Sequence, residues 1–179
     1  GIPLMKILIF LHGTTIMHKS AIGKTREEIV GQVKAQEESV RDFASYVPIG
    51  NAAEKLNKWV AQGVEILYLS ALTENKKARG DEIVGKDGLK IDQEILDRYG
   101  FPKGTIFHRQ EGVSYAQITE TIMPDILVED DCESIGGAKE MTITFVKPEI
   151  KKRIKSIVIK EQGGIDHLPD GINDLLHYI

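Results

Sequence analysis

Apolar residues fall along this chain in short unbroken runs that alternate with stretches of helical spacing. Ile7 to Phe10 is such a run, stopped by Gly13-Thr14-Thr15, the pattern of a strand buried on both faces. Thr25 and Glu28 form a capping box ahead of Ile29, Val30 and Val33, which predicts a helix reaching about Phe43. Tyr46 to Gly50, with Pro48, breaks that pattern. Asn51 and Glu54 form a second capping box ahead of Leu56, Trp59 and Val60, with Gly63 as the terminating glycine. Val64 to Leu69 predicts the next strand, ending at Ser70. The charged, glycine-rich loop after it, Ala71 to Lys90, is expected to carry one short helix near Asn75 to Arg79. Asp92 is expected to cap a helix bearing Ile95 and Leu96, closed at Gly100-Phe101-Pro102, and Thr105 to Phe107 is a brief strand. Ser114 and Gln117 predict a capped helix with Tyr115, Ile118 and Ile122 on one face, ended by Pro124. Ile126 to Val128, Thr142 to Val146, a helix starting near Pro148, and Ile157 to Ile159 complete the order. Strands alternate with helices throughout, so the expected class is α/β: a three-layer, Rossmann-like parallel sheet flanked by helices.

Composition narrows the partners. A chain of 179 residues, 41% hydrophobic and 28% charged, suits one ordinary domain, expected over 5–179. Gly1 to Leu4 precede Met5 and are expected to be an expression scar. A net charge of −4 argues against a nucleic-acid or anionic-membrane binder. The basic stretch Lys151, Lys152, Arg153 and Lys155 alternates with Ile150 and Ile154 and reads as a solvated helix face. Cys132 is the only cysteine, which excludes an internal disulfide. With no apolar run of membrane-spanning length and no signal-peptide layout, the expected location is the cytoplasm.

Ligands of open α/β sheets bind beyond the carboxyl ends of the strands, and polar clusters fall at those ends here. His12, Gly13, Thr14 and Thr15 follow the first strand, and Ser70 and Thr73 the second. His108 and Arg109 follow the third, and Glu129, Asp130 and Asp131 the fourth. Gly13 permits a tight turn whose N–H groups can face an anion, and the Thr14 and Ser70 hydroxyls can donate to phosphate. Arg109 can neutralise a phosphate bidentately, and the three acids can hold a hard cation such as Mg²⁺. The competing reading of the acids is a solvated turn capping Ser134 to Gly137.

In this order and spacing the elements resemble the haloacid dehalogenase superfamily of phosphatases and phosphotransferases over about residues 5 to 137. Ile7-Leu8-Ile9-Phe10-Leu11-His12-Gly13-Thr14-Thr15 lines up with that family's apolar strand and Asp-x-Asp-Gly-Thr motif. Ile66-Leu67-Tyr68-Leu69-Ser70 resembles its strand ending in Ser or Thr, and Pro124 to Asp131 its strand running into paired acids. The resemblance implies a small helical cap at about 17–50. It also implies that Phe10 stands where the nucleophilic, Mg²⁺-binding Asp belongs, and His12 where the general acid–base Asp belongs. The family lysine has no clear match; Arg109 is the nearest stand-in and Lys103 a weaker one.

Three functions follow as expectations. The first is a non-catalytic or weakly active binder of a phosphorylated small metabolite, with Mg²⁺ binding weakened by the loss at Phe10. The second is a divergent metal-dependent phosphohydrolase or phosphotransferase using His12 as nucleophile or base. The third is a structural or protein-interaction module, in which homo-oligomers form the working interface. Gly23-Lys24-Thr25 is similar to the end of a phosphate-binding loop, but His18 stands where that loop needs its first glycine. The tail segment Gly163 to Asp170 reads as a surface turn or as a flap over the site.

Overall fold

A computed structural model describes residues 4–72 and 88–179. The first apolar run is β1 (Met5–Phe10), whose Ile7, Leu8 and Ile9 are fully buried. The pair β2 (Ile16–Met17) and β3 (Val47–Pro48) forms a separate antiparallel ribbon at the start and end of the segment after β1. The main sheet is completed by β4 (Val64–Ser70), β5 (Ile106–His108), β6 (Ile126–Asp130) and β7 (Lys155–Ile159). Its strands run parallel in the order β5-β4-β1-β6-β7. The chain therefore winds outward on one side of β1 and then on the other, and the reversal of strand order opens a crevice beside the end of β1.

The helices are α1 (Arg26–Lys34), α2 (Ala52–Val60), α3 (Gly88–Arg98), α4 (Tyr115–Ile122), α5 (Thr142–Phe145), α6 (Pro148–Lys151) and α7 (Ile172–Leu176). Because side chains alternate along β1, Ile7 and Ile9 face one layer and Leu8 the other. The first layer packs Leu56 and Trp59 of α2, Ile95 of α3 and Leu175 of α7 against the sheet. The second packs Ala116 of α4, Val146 and Ile154, with Phe10 and Tyr115 at its edge. The expected three-layer α/β class is therefore the architecture observed.

Local signals hold unevenly. Both sides of the capping boxes at Thr25–Glu28 and Ser114–Gln117 are made. Asn51 makes no cap bond through its side chain, and its N–H donates to the Asp166 carboxylate. Helix α1 stops at Lys34, well short of Phe43. A polar run, Lys34 to Glu38, offers no apolar face there, and Gln36 turns left-handed at φ 54°. Asp92 lies inside α3 rather than capping it. The basic stretch divides between the end of α6 and β7, with Lys152 and Arg153 exposed. The helix expected near 75–79 and Thr73 lie outside the described residues.

The segment Gly163 to Asp170 straps α2 and does not fold over the crevice. Lys55 Nζ donates to Leu168 O and Asp170, each at 2.5 Å, and Trp59 Nε1 donates to Pro169 O at 3.0 Å. Among the described residues no helix is long and apolar enough to cross a membrane.

Candidate functional site

A cavity of about 440 Å³ opens at the carboxyl end of the sheet. Phe10 reaches it from the last position of β1, on the same face as Leu8. The ring packs edge-on against Tyr115, with centroids 5.0 Å apart. Val33, Val40, Phe43 and Tyr46 supply apolar wall from the 17–50 segment. Arg26 ties that segment to the loops beyond β6 and β7, through Glu133 Oε2 at 2.5 Å and Glu161 O at 3.0 Å.

His12 also lines the cavity, in edge contact with the Phe43 and Tyr46 rings. Its Nδ1 accepts from the Ala71 N–H at 3.2 Å, so the neutral ring carries its proton on Nε2. That nitrogen faces Asp92 Oδ1 at 3.4 Å, a close approach without hydrogen-bond alignment. Asp92 is fully buried. Its Oδ2 accepts from Ser70 Oγ at 2.5 Å and lies 3.1 Å from His108 Nε2. Burial alone would push Asp92 upward. Attraction to the His12 ring, with the hydrogen bonds of His108 and Ser70, outweighs it and holds the carboxyl at about 2. Both His12 nitrogens are thus turned toward protein, and neither is placed to attack a ligand.

The hydroxyls expected to be free for phosphate are already committed. Ser70, wholly buried, gives its proton to Asp92 and accepts from the Leu72 N–H at 3.0 Å. Thr14 Oγ1 donates to Asp130 Oδ2 at 3.1 Å. The turn does form at Gly13, with φ 83°, but it closes on itself. Gly13 N–H donates to Ile16 O, and the Thr14 and Thr15 N–H groups donate to Leu11 O. Arg109 lines the cavity with its guanidinium 4.9 Å from the Tyr115 centroid.

The three acids after β6 separate. Glu129 is buried and accepts from the N–H groups of Thr142 at 2.7 Å and Ile143 at 3.0 Å. Asp130 accepts from Thr14 and, at 2.8 Å, from the Cys132 N–H. Asp131 turns away to the Glu133 and Glu161 N–H groups and to Arg26. Burial raises Glu129 and Asp130 above the usual carboxylate range, and burial with nearby acids pushes the Cys132 thiol up to about 12. That thiol is no nucleophile at neutral pH.

No protein-family model and no curated protein matches this sequence. Solved structures do. The class C acid phosphatase from Bacillus anthracis with tungstate bound superposes with a TM-score of 0.52 at 15% identity, over 92% of this chain and 70% of that one. A second structure of that phosphatase gives a TM-score of 0.52 and 15% identity over 99% and 80%. Class C acid phosphatases belong to the haloacid dehalogenase superfamily. The fold is haloacid-dehalogenase-like. At this identity the likeness establishes architecture and not chemistry.

The sequence resemblance implies a Mg²⁺ site at this end of the sheet. The residues here do not fit that ion. Phe10 has no oxygen to offer, both Glu129 oxygens already accept backbone N–H groups, and Asp131 faces Arg26. Among the described residues no trio of His, Cys, Asp and Glu is arranged to hold a metal.

Sequence reasoning missed Tyr115, Glu161 and Gln162 on the cavity wall and Asp92 behind His12. Asp92 and Tyr115 sit on helices whose spacing accounts for them as a cap and an apolar face. Glu161 and Gln162 follow the edge strand β7, which the resemblance did not reach; their position just beyond a strand end was the available signal.

Proposed function

We propose that this haloacid-dehalogenase-like chain binds a phosphorylated small molecule in the cavity at the sheet end and turns it over weakly or not at all. The observation that carries the reading is the Phe10 ring on the cavity wall at the end of β1, edge-on to Tyr115. By the sequence resemblance, that end is where a carboxylate would attack phosphorus. An aromatic ring there excludes an aspartyl-phosphate intermediate. Arg109 is the cation placed to meet the phosphate, and the 17–50 segment acts as the cap that encloses the ligand body. His12 as nucleophile is disfavoured because Ala71 N–H occupies Nδ1 and Nε2 faces Asp92.

Two measurements on the full chain test this. Phosphate release from an aryl phosphate should stay at background with and without Mg²⁺. Inorganic phosphate and simple phosphate esters should raise the melting temperature, and Arg109→Gln should remove that rise. Metal-dependent turnover abolished by His12→Ala would overturn the reading in favour of a divergent phosphohydrolase.

A further inference from the structure

We infer that Glu161 and Gln162, beside Asp130, form a receptor for an organic ammonium group, so that the cavity takes a small phosphate ester bearing a primary amine. The phosphate half rests on the function proposed above; the ammonium half does not. Glu161 is 5% exposed and lines the cavity from just beyond β7. Its Oε1 accepts from the Ser134 N–H at 3.3 Å and hydroxyl at 2.9 Å, while its buried Oε2 has no hydrogen-bond partner. Gln162 Oε1 is buried without a partner as well.

The three side chains gather around Gly13. A Cβ at that position would stand 3.2 Å from Asp130 Oδ2, 3.5 Å from Gln162 Nε2 and 3.6 Å from Glu161 Cγ. Gly13 is itself on the cavity wall, and Gln162 N–H anchors the arrangement by donating to Gly13 O at 2.8 Å. Buried acceptors left without donors are costly, and a group carrying several N–H bonds on one positive centre satisfies them together. A phosphate offers no donors in its dianionic form and would meet like charge at this pole. A divalent cation needs about six oxygens, whereas both Asp130 oxygens and one of Glu161 are already engaged. Phe10, Phe43 and Tyr46 line the same cavity with carbon, which suits a short organic linker.

The test is calorimetric titration of the full chain with 2-aminoethyl phosphate, ethyl phosphate, ethylamine and Mg²⁺, each alone. The amino ester should bind at least about tenfold more tightly than ethyl phosphate. Glu161→Gln, which keeps the acceptor for Ser134, should abolish that ratio. Gln162→Met is the second variant, and it should shrink the ratio with its backbone bond to Gly13 intact. Equal binding of the two esters overturns the ammonium receptor while leaving phosphate binding standing. Binding of ethylamine that depends on Glu161, with neither ester bound, supports the receptor and overturns the phosphate reading. Mg²⁺ binding that Glu161→Gln removes, or no binding of any probe, overturns the receptor.

Discussion

Ser70, the last residue of β4, donates its hydroxyl to Asp92 Oδ2 on α3 at 2.5 Å. The bond joins a strand end to a helix and also takes from the crevice a hydroxyl that phosphate could have used. Asp92 in turn gathers His108 and His12. This buried cluster sets the shape of the cavity wall; it does not project reactive atoms into it.

Asp92→Asn tests that cluster through pH. The folded carboxyl lies at about 2, below its ordinary 3.8, so its stabilisation is present above the ordinary value. It is lost as pH falls through about 2. The variant should lose roughly 2 kcal/mol at neutral pH, read by urea unfolding, with the deficit shrinking as pH approaches 2. A deficit independent of pH between 2 and 7 would contradict the assignment.

Glu161→Gln should move stability the other way. Burial, reinforced by Asp130 and Asp131, lifts the folded carboxyl above its ordinary 4.5, against the lowering bonds from Ser134. Its contribution is full below the ordinary value and lost as pH rises through the lifted one. The uncharged variant should therefore melt higher than the parent at pH 8 and match it near pH 4. Equal shifts at both values would refute the charge argument.

Phe10→Asp restores a carboxylate at the end of β1 but not a site. With Glu129 and Asp131 committed to backbone donors, Mg²⁺-dependent hydrolysis of an aryl phosphate should remain at background. Loss of the Tyr115 contact and burial of a charge should cost about 2–4 kcal/mol by denaturant unfolding. Gained hydrolysis would show that the acids after β6 can still release to a metal.

Glu129→Ala removes the acceptor for two N–H groups at the start of α5. The expected loss is about 1–3 kcal/mol, with faster amide exchange at Thr142 and Ile143. Retained protection there would place the carboxylate's role elsewhere.

Trp59→Ala should be the most damaging of these changes, at about 3–5 kcal/mol in equilibrium unfolding. Trp59 is fully buried in the layer under β1 and also holds Pro169 O. The loosened 163–170 segment should become sensitive to protease. Resistance equal to the parent's would show that the other ties, from Lys55 and Asn51, suffice.

The alternation of apolar runs with capped helical stretches determined the class of fold, since a strand such as Ile7 to Phe10 can be buried on both faces only inside a flanked parallel sheet. The same local pattern determined the capping boxes at Thr25 and Ser114, which need only four residues of sequence. It also put Phe10, His12, Glu129 and Asp130 at the carboxyl ends of strands, and these do line one cavity. Partner choice was beyond it. Ser70 and Thr14 each had a hydroxyl to give, and only the folded chain shows these going to Asp92 and Asp130. Asp92 looked like a helix cap because a cap is local, whereas its burial among His12, His108 and Ser70 depends on contacts between separate elements. Glu161 and Gln162 joined the cavity for the same reason. Hydrogen bonds across the sheet end are set by how strands stack side by side, and that ordering has no signature in any short window of residues.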